Sequence, residues 1–240
     1  MNTACESGRH SPFASALSPL SKPGRRLDQH APKRITLLLR SLLQNVLLFP
    51  FLKNHCKSFQ VSGLENLEDL QGPCVFVANH SSHADVAIIL LALPPRLRAR
   101  LAIAAAADYF YEKKKLGAVV TLLLNTFPFD RSHPRQGLQQ GKQVLQTGQS
   151  LLIFPEGTRT KPECKASFKR GFAALACQMK VPIVPIYICG SHEMLPKGSK
   201  WPQKAAVHIS FGEPVMPEGQ SSLEIAHIVE TKVEQLAFVA

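Results

Sequence analysis

Three short runs of this chain are apolar almost without interruption: CVFVA at 74–78, LLIF at 151–154 and VPIVPI at 181–186. A strand that carries a polar residue at every second position can leave one face in water. A strand without that alternation needs cover on both faces, which is the situation of a parallel sheet between helical layers. Between the runs lie segments with helical spacing or composition: HADVAIILLAL (83–93), which stops at Pro94-Pro95, PRQGLQQGKQVLQTG (134–148), which ends at Gly148, and KRGFAALACQMK (169–180). Adding FQVSG (59–63), ARLAIAAAA (99–107), TFPF (126–129) and AVHISF (206–211) as strands, helical character over 109–124 and a closing helix over 223–239 gives an alternating order. That order predicts an α/β domain, with a largely parallel central sheet flanked by helices, over residues 58–240.

The first 57 residues behave differently. They hold nine Lys/Arg against two Asp/Glu and so carry most of the formal net charge of +11. Residues 1–34 are rich in Ser, Pro, Gly, Arg and His without apolar periodicity, and read as a disordered basic tail without the apolar core of a secretory signal. Residues 35–57 open with ITLLLRSLLQNVLLFPFL, in which Thr36, Arg40, Ser41, Gln44 and Asn45 recur on one helical face. Eighteen helical residues span about 27 Å, nearly a bilayer core. Arg40 near the centre costs roughly 2.5–3.5 kcal/mol on insertion, which favours a helix lying in the membrane interface over one that crosses it. The expectation is an N-terminal amphipathic membrane helix with its polar face toward headgroups and Pro50 as a break. Packing of the same helix on the protein's own core is the alternative. The basic segment lacks interleaved aromatics, so anionic lipid is favoured over nucleic acid. The six cysteines form no CxxC pair and read as free thiols of a reducing compartment.

In a sheet of this kind, sites form beyond the carboxyl ends of strands. Three polar loops fall at such ends: Asn79-His80 within NHSSHAD after the first run, Asp130-Arg131 after TFPF, and Pro155–Arg159 after LLIF. Asp85 lies five residues after His80, close enough to bond one imidazole nitrogen and leave the other as a base. In PEGTR, Pro155 and Gly157 shape a turn whose backbone N–H groups suit an anion, and Arg159 supplies a planar fork for phosphate. Lys169 and Arg131 add cationic charge. No G-x-x-x-x-G-K-[ST] loop, G-x-G-x-x-G turn or G-x-S-x-G elbow is present, so nucleotide hydrolysis, NAD chemistry and a serine acyl-enzyme are unsupported. A base without a nucleophile of its own implies that a substrate hydroxyl attacks. Two other readings stay open on the residues: a metal-dependent hydrolase using His80, His83 and Asp85, and a non-catalytic module that binds acidic lipid.

These residues resemble the four blocks of the 1-acylglycerol-3-phosphate acyltransferase (PlsC-like) family. NHSSHAD is similar to its HX4D block, FPFDR (127–131) to its second, FPEGTR (154–159) to its third and VPIVPI to its fourth, in family order. The resemblance implies transfer of a fatty acyl chain from acyl-CoA or acyl carrier protein to a glycerolipid hydroxyl. Lysophosphatidate is the leading acceptor, with glycerol 3-phosphate or another lysophospholipid open. It further implies that His80 is the general base and Asp85 its orienting carboxylate. Arg131, Glu156, Gly157, Thr158, Arg159 and Lys169 would bind the phosphate and glycerol, and Asn79, Asp130, Pro182 and Pro185 would shape the pocket. No metal and no cofactor beyond the thioester co-substrate are expected. The partners are a membrane lipid surface, the acyl donor and the lysophospholipid acceptor, with the active site facing the cytoplasm. Replacing His80 or Asp85 by Ala is expected to abolish transfer without unfolding the protein.

Overall fold

A computed structural model describes residues 34–106, 119, 121–129, 134–160, 167–196, 198–199 and 201–238. Residues 1–33, most of the 109–124 segment, Asp130 and Arg131 lie outside the described set, and so do the expectations attached to them.

The apolar runs form a single seven-stranded sheet: β1 (Cys56–Ser62), β2 (Val75–Ala78), β3 (Leu101–Ala106), β4 (Thr126–Phe129), β5 (Ser150–Ile153), β6 (Ile183–Cys189) and β7 (Ala205–Phe211). Their spatial order is β1-β7-β6-β2-β5-β3-β4. From β6 to β4 every neighbouring pair is parallel. β7 runs antiparallel to β6, and β1 runs parallel to β7. The edge strand β1 and its neighbour β7 are therefore reversed. Among the described residues, the link from β6 to β7 holds a one-turn helix, Ser191–Met194, and brings β7 back antiparallel beside β6.

All four residues of β2 are wholly buried, as its lack of alternation requires. Phe76 and Ala78 face one core with helix α2 (Asp85–Ala92). Val75 and Val77 face a second core with helices α3 (Pro134–Gln146), α4 (Gly171–Met179) and α5 (Ser222–Leu236).

The N-terminal helix, numbered α1, is continuous from Arg34 to Asn54. Pro50 does not break it. A π-helical stretch over Gln44–Leu48 precedes the proline, and Phe49 N–H bonds Gln44 O across the wider turn. The donor that proline lacks is thus absorbed where a π-bulge already departs from the α pattern. The orientation of α1 reverses the expectation drawn from its periodicity. Arg40 and Gln44 are buried; Arg40 Nε donates to Leu122 O (2.7 Å) and Gln44 Nε2 to Leu123 O (2.8 Å). Ile35, Leu38, Leu42, Val46 and Leu47 point outward, each more than half exposed. Arg40 and Gln44 meet backbone carbonyls, as buried side-chain donors require, and the apolar face is left uncovered by the described residues. The carboxyl end of α1 is built into the domain: Phe49 and Leu52 join the core beside α2, and the Arg98 guanidinium lies 4.7 Å from the centre of the Phe49 ring.

Candidate active site

β6, β2 and β5 are neighbours with a common direction, so their carboxyl ends deliver Gly190-Ser191, Asn79-His80 and Phe154–Gly157 to one edge. Asn79 extends the β2–β6 pairing with its side chain. Its Nδ2 donates to Ile188 O (2.9 Å) and its Oδ1 accepts from Ile188 N (2.8 Å). The chain then turns at His80.

Asp85, the first residue of α2, is completely buried. Its Oδ2 accepts three hydrogen bonds: from Ser81 N (2.9 Å), Ser82 N (2.9 Å) and His80 Nδ1 (2.8 Å). A carboxylate only accepts, so Nδ1 carries a ring hydrogen, and in the neutral imidazole Nε2 holds the lone pair. Nε2 meets no hydrogen-bond partner among the described residues. The imidazole stacks on Phe154, with ring centres 4.1 Å apart and planes 22° apart. The His80 side chain remains 18% exposed, enough to be reached from outside. Ser81 Oγ bonds Ser191 Oγ (2.8 Å), and Ser82 Oγ donates to Leu195 O (2.8 Å), which fixes the loop against the segment after β6.

Glu156 departs from the phosphate-binding expectation. It is 8% exposed, and its Oε1 accepts from His80 N (2.8 Å) while Oε2 accepts from Thr160 Oγ1. Burial raises its pKa, partly offset by these same bonds. Thr160 N in turn donates to His80 O (2.9 Å). Glu156 is a strut that ties the PEGTR loop to the backbone of His80. Both oxygens are committed, and an anion would be a poor partner for phosphate.

The cationic groups lie on the same loop. Gly157 adopts φ +73°, and a Cβ there would come within 2.7 Å of Lys169 Nζ, so the ammonium occupies the space a side chain would fill. Lys169 N also bonds Pro155 O (3.1 Å). Arg159 is half-buried and Thr158 exposed. Burial of His83, with the charge of Arg159 beside it, lowers its pKa from 6.5 to about 4. The nearby histidine is therefore neutral at neutral pH. His80, His83 and Asp85 do not make a metal-ligand set: among the described residues no three His, Cys, Asp or Glu are grouped to hold an ion.

The prolines stand elsewhere. Pro182 precedes β6 at the edge of the sheet opposite His80, roughly 20 Å away along the strand, where its carbonyl accepts Val75 N–H (2.9 Å). Pro185 pairs with Val77 in mid-sheet and its ring abuts Gly212. Both set the fold of β6, and neither reaches His80. Phe154, Thr160 and Ser191 were not foreseen. The same rule that singled out the other loops, a polar residue just past a buried strand, applies to Ser191 after β6.

Residues 58–189 match the acyltransferase family, more than half of the chain. The chain belongs to that family. Among its relatives, the 1-acyl-sn-glycerol-3-phosphate acyltransferase of Cocos nucifera is 29% identical over 171 residues, covering 70% of this chain and 54% of the relative. A chloroplastic 1-acyl-sn-glycerol-3-phosphate acyltransferase of Brassica napus is 30% identical over 166 residues, with 68% and 44% covered. That of Pseudomonas aeruginosa is 27% identical over 180 residues, with 71% and 64% covered. The chain spans about half the length of the first two of these relatives. The crystal structure of the 1-acyl-sn-glycerophosphate acyltransferase PlsC from Thermotoga maritima superposes with a TM-score of 0.65 at 26% identity, over 87% of this chain and 84% of that one. The acyltransferase match covers every strand end that builds the site, from Asn79 to Cys189.

Proposed function

We propose that this acyltransferase-family chain transfers a fatty acyl group from an acyl thioester, acyl-CoA or acyl carrier protein, to the free hydroxyl of lysophosphatidate. The observation that carries the reading is the three-pronged hold on Asp85, which fixes the His80 ring and its tautomer with Nε2 available. His80 Nε2 takes the hydroxyl proton as the alcohol oxygen attacks the thioester carbonyl carbon. The tetrahedral intermediate then expels the thiolate, which receives that proton from Nε2. The C–O bond formed and the C–S bond broken leave an ester and a thiol. General base catalysis of this kind contributes about 10²–10⁴-fold.

Donors for the intermediate's oxyanion narrow by elimination. The amides of His80, Ser81 and Ser82 are spent on Glu156 and Asp85, and that of Gly157 on Phe154 O. The amides of Thr158 and Arg159 have no protein acceptor among the described residues and stand at the head of the same turn. They are our choice for the oxyanion, with the Arg159 and Lys169 side chains on the phosphate.

The exposed apolar face of α1 supports a place in the acyl layer of a membrane. Seven of its large apolar side chains are 45–76% exposed; moving them into hydrocarbon is worth roughly 5–10 kcal/mol. The basic N-terminal end and the free thiols favour the cytoplasmic leaflet. The test is incubation of purified protein in lipid with labelled acyl-CoA and lysophosphatidate, glycerol 3-phosphate and other lysophospholipids as acceptors. Wild type forms labelled phosphatidate and His80→Ala falls at least a hundredfold. Equal turnover by both proteins would refute the assignment of the base, and hydrolysis that needs an added divalent ion would refute the reaction.

A further inference from the structure

The chain has one tryptophan. Trp201 is 77% exposed in a loop, PKGSKWPQK, that carries three lysines and no acid. A large amphipathic ring left exposed in a lysine-rich segment is a poor arrangement for a free surface and a good one for the headgroup layer of a membrane, where Trp collects and Lys meets anionic lipid.

The loop's position makes the point stronger. Because β7 is antiparallel to β6, its amino end lies beside the carboxyl end of β6; Cys189 pairs with His208. The catalytic edge and the start of β7 therefore coincide. β1 is parallel to β7, with Cys56 opposite Ala205, and Ala205 N bonds His55 O (3.1 Å) just beyond the end of α1. Trp201 is four residues before Ala205, so chain length alone keeps the two Cα atoms within about 14 Å. The base of the loop is held: Gln203 N donates to Met194 O (2.7 Å), and Ser199 Oγ to Trp201 O (2.9 Å). Lys204 is exposed, as are Lys53 and Lys57 at the α1–β1 junction, and the register sets Cys56 opposite Ala205. Lys197 and Lys200, which flank the ring in sequence, lie outside the described residues.

We infer that the Trp201 loop is a second membrane anchor, inserting its indole at the headgroup level of an anionic bilayer and, with α1, turning the His80 edge of the sheet toward the lipid. One contact at α1 leaves the domain free to pivot; a second at the Trp201 loop, beside the carboxyl end of α1, restricts that pivot. The inference rests on the interfacial placement of α1 proposed above, and not on the acyl-transfer chemistry.

The single tryptophan makes the test direct. The full chain is mixed with phosphatidylcholine vesicles, with and without phosphatidylglycerol, and with lipids brominated near the headgroup end of the acyl chain. The expected result is a shift of Trp emission to shorter wavelength on the anionic vesicles, with quenching by bromine. Lys204→Gln should weaken partitioning to anionic vesicles about fivefold, with little change on phosphatidylcholine alone. Protein that sediments with vesicles while its emission stays put and unquenched overturns the loop anchor and leaves α1 standing. Protein that does not sediment at all overturns both.

Discussion

Asp85→Asn separates two things a carboxylate does for a histidine base: it orients the ring, and it carries charge. In the general case a carboxamide can rotate, offer its NH2 to the ring and impose the wrong tautomer, at a loss near 10⁴-fold. The loop around Asp85 forbids that rotation. Ser81 N and Ser82 N both point at Oδ2, so an NH2 group placed there would face two donors and forfeit two buried hydrogen bonds, each worth about 1–3 kcal/mol. The carboxamide oxygen must take the Oδ2 position. The NH2 then falls where Oδ1 now sits, an atom that is buried without a partner, so the domain loses little stability. His80 keeps Nδ1–H toward residue 85 and Nε2 toward substrate. Only the charge that steadies the imidazolium in the transition state is gone. A charge-assisted bond is about twice as strong as a neutral one, which puts the loss at roughly 1.5–2.5 kcal/mol, or about 10–70-fold in kcat.

Asp85→Ala is a different experiment. It strands both serine amides in the interior at a cost of roughly 2–6 kcal/mol, a large part of the stability of an ordinary domain. Alanine here is expected to cost stability as well as activity. His80→Ala, which leaves the Asp85–serine bonds in place, is the clean deletion. The assay is kcat with labelled acyl thioester and lysophosphatidate, beside a denaturation midpoint and imidazole ¹⁵N shifts to read the tautomer. A loss near 10⁴-fold with a changed tautomer in folded Asp85→Asn would show that the serine amides do not set the carboxamide. A loss under about threefold would show that the charge is not used.

Glu156→Gln should fold and keep activity within about tenfold, because the carboxamide oxygen can accept from His80 N and its NH2 can donate to Thr160 Oγ1; Glu156→Ala, which removes both bonds, should cost far more in kcat. Since burial raises the Glu156 pKa, its contribution favours the fold below about pH 4.5 and is lost as pH rises through the raised value. The stability–pH curve of Glu156→Gln should lack that fall, as denaturant midpoints across pH will tell. His83 works in the opposite sense: its lowered pKa of about 4 gives stability present above pH 6.5 and lost as pH falls toward 4. The loss is about 1–2 kcal/mol after discounting for partial exposure, and it should be missing in His83→Gln. Gly157→Ala should displace the Lys169 ammonium and strain a positive φ, lowering stability by about 1 kcal/mol and raising KM for the phosphorylated acceptor more than it lowers kcat.

The parts of this protein that were legible in its sequence share a cause. β2, β5 and β6 announce themselves because burial on both faces leaves no room for polar alternation, and the loops after them because a hydrophilic cluster between two buried segments has few places to go. Burial does not encode direction. The reversal of β1 and β7 depends on how the 190–204 connection returns, and no local pattern carries that. Glu156 illustrates a second limit. Its place in a turn with Arg159 reads as part of an anion site, yet its partners are a backbone amide 76 residues away and the hydroxyl of Thr160, and only the packing of two loops decides that it turns inward.

The N-terminal helix shows a third limit, and the most consequential one. A period of 3.6 separates a polar face from an apolar face but does not say which meets the protein. For a helix bathed in water the apolar face goes in. For a helix bathed in lipid tails the preference inverts, because hydrocarbon outside is as good as hydrocarbon inside and every polar group needs a partner from the protein. Arg40 Nε and Gln44 Nε2 find theirs in the carbonyls of Leu122 and Leu123, in the turn that leads into β4, while Arg40 Nη1 is buried without one among the described residues. The burial of Arg40 and Gln44 under a coat of exposed leucines fits the lipid placement proposed for α1. It also joins α1 by hydrogen bonds to the turn that precedes β4.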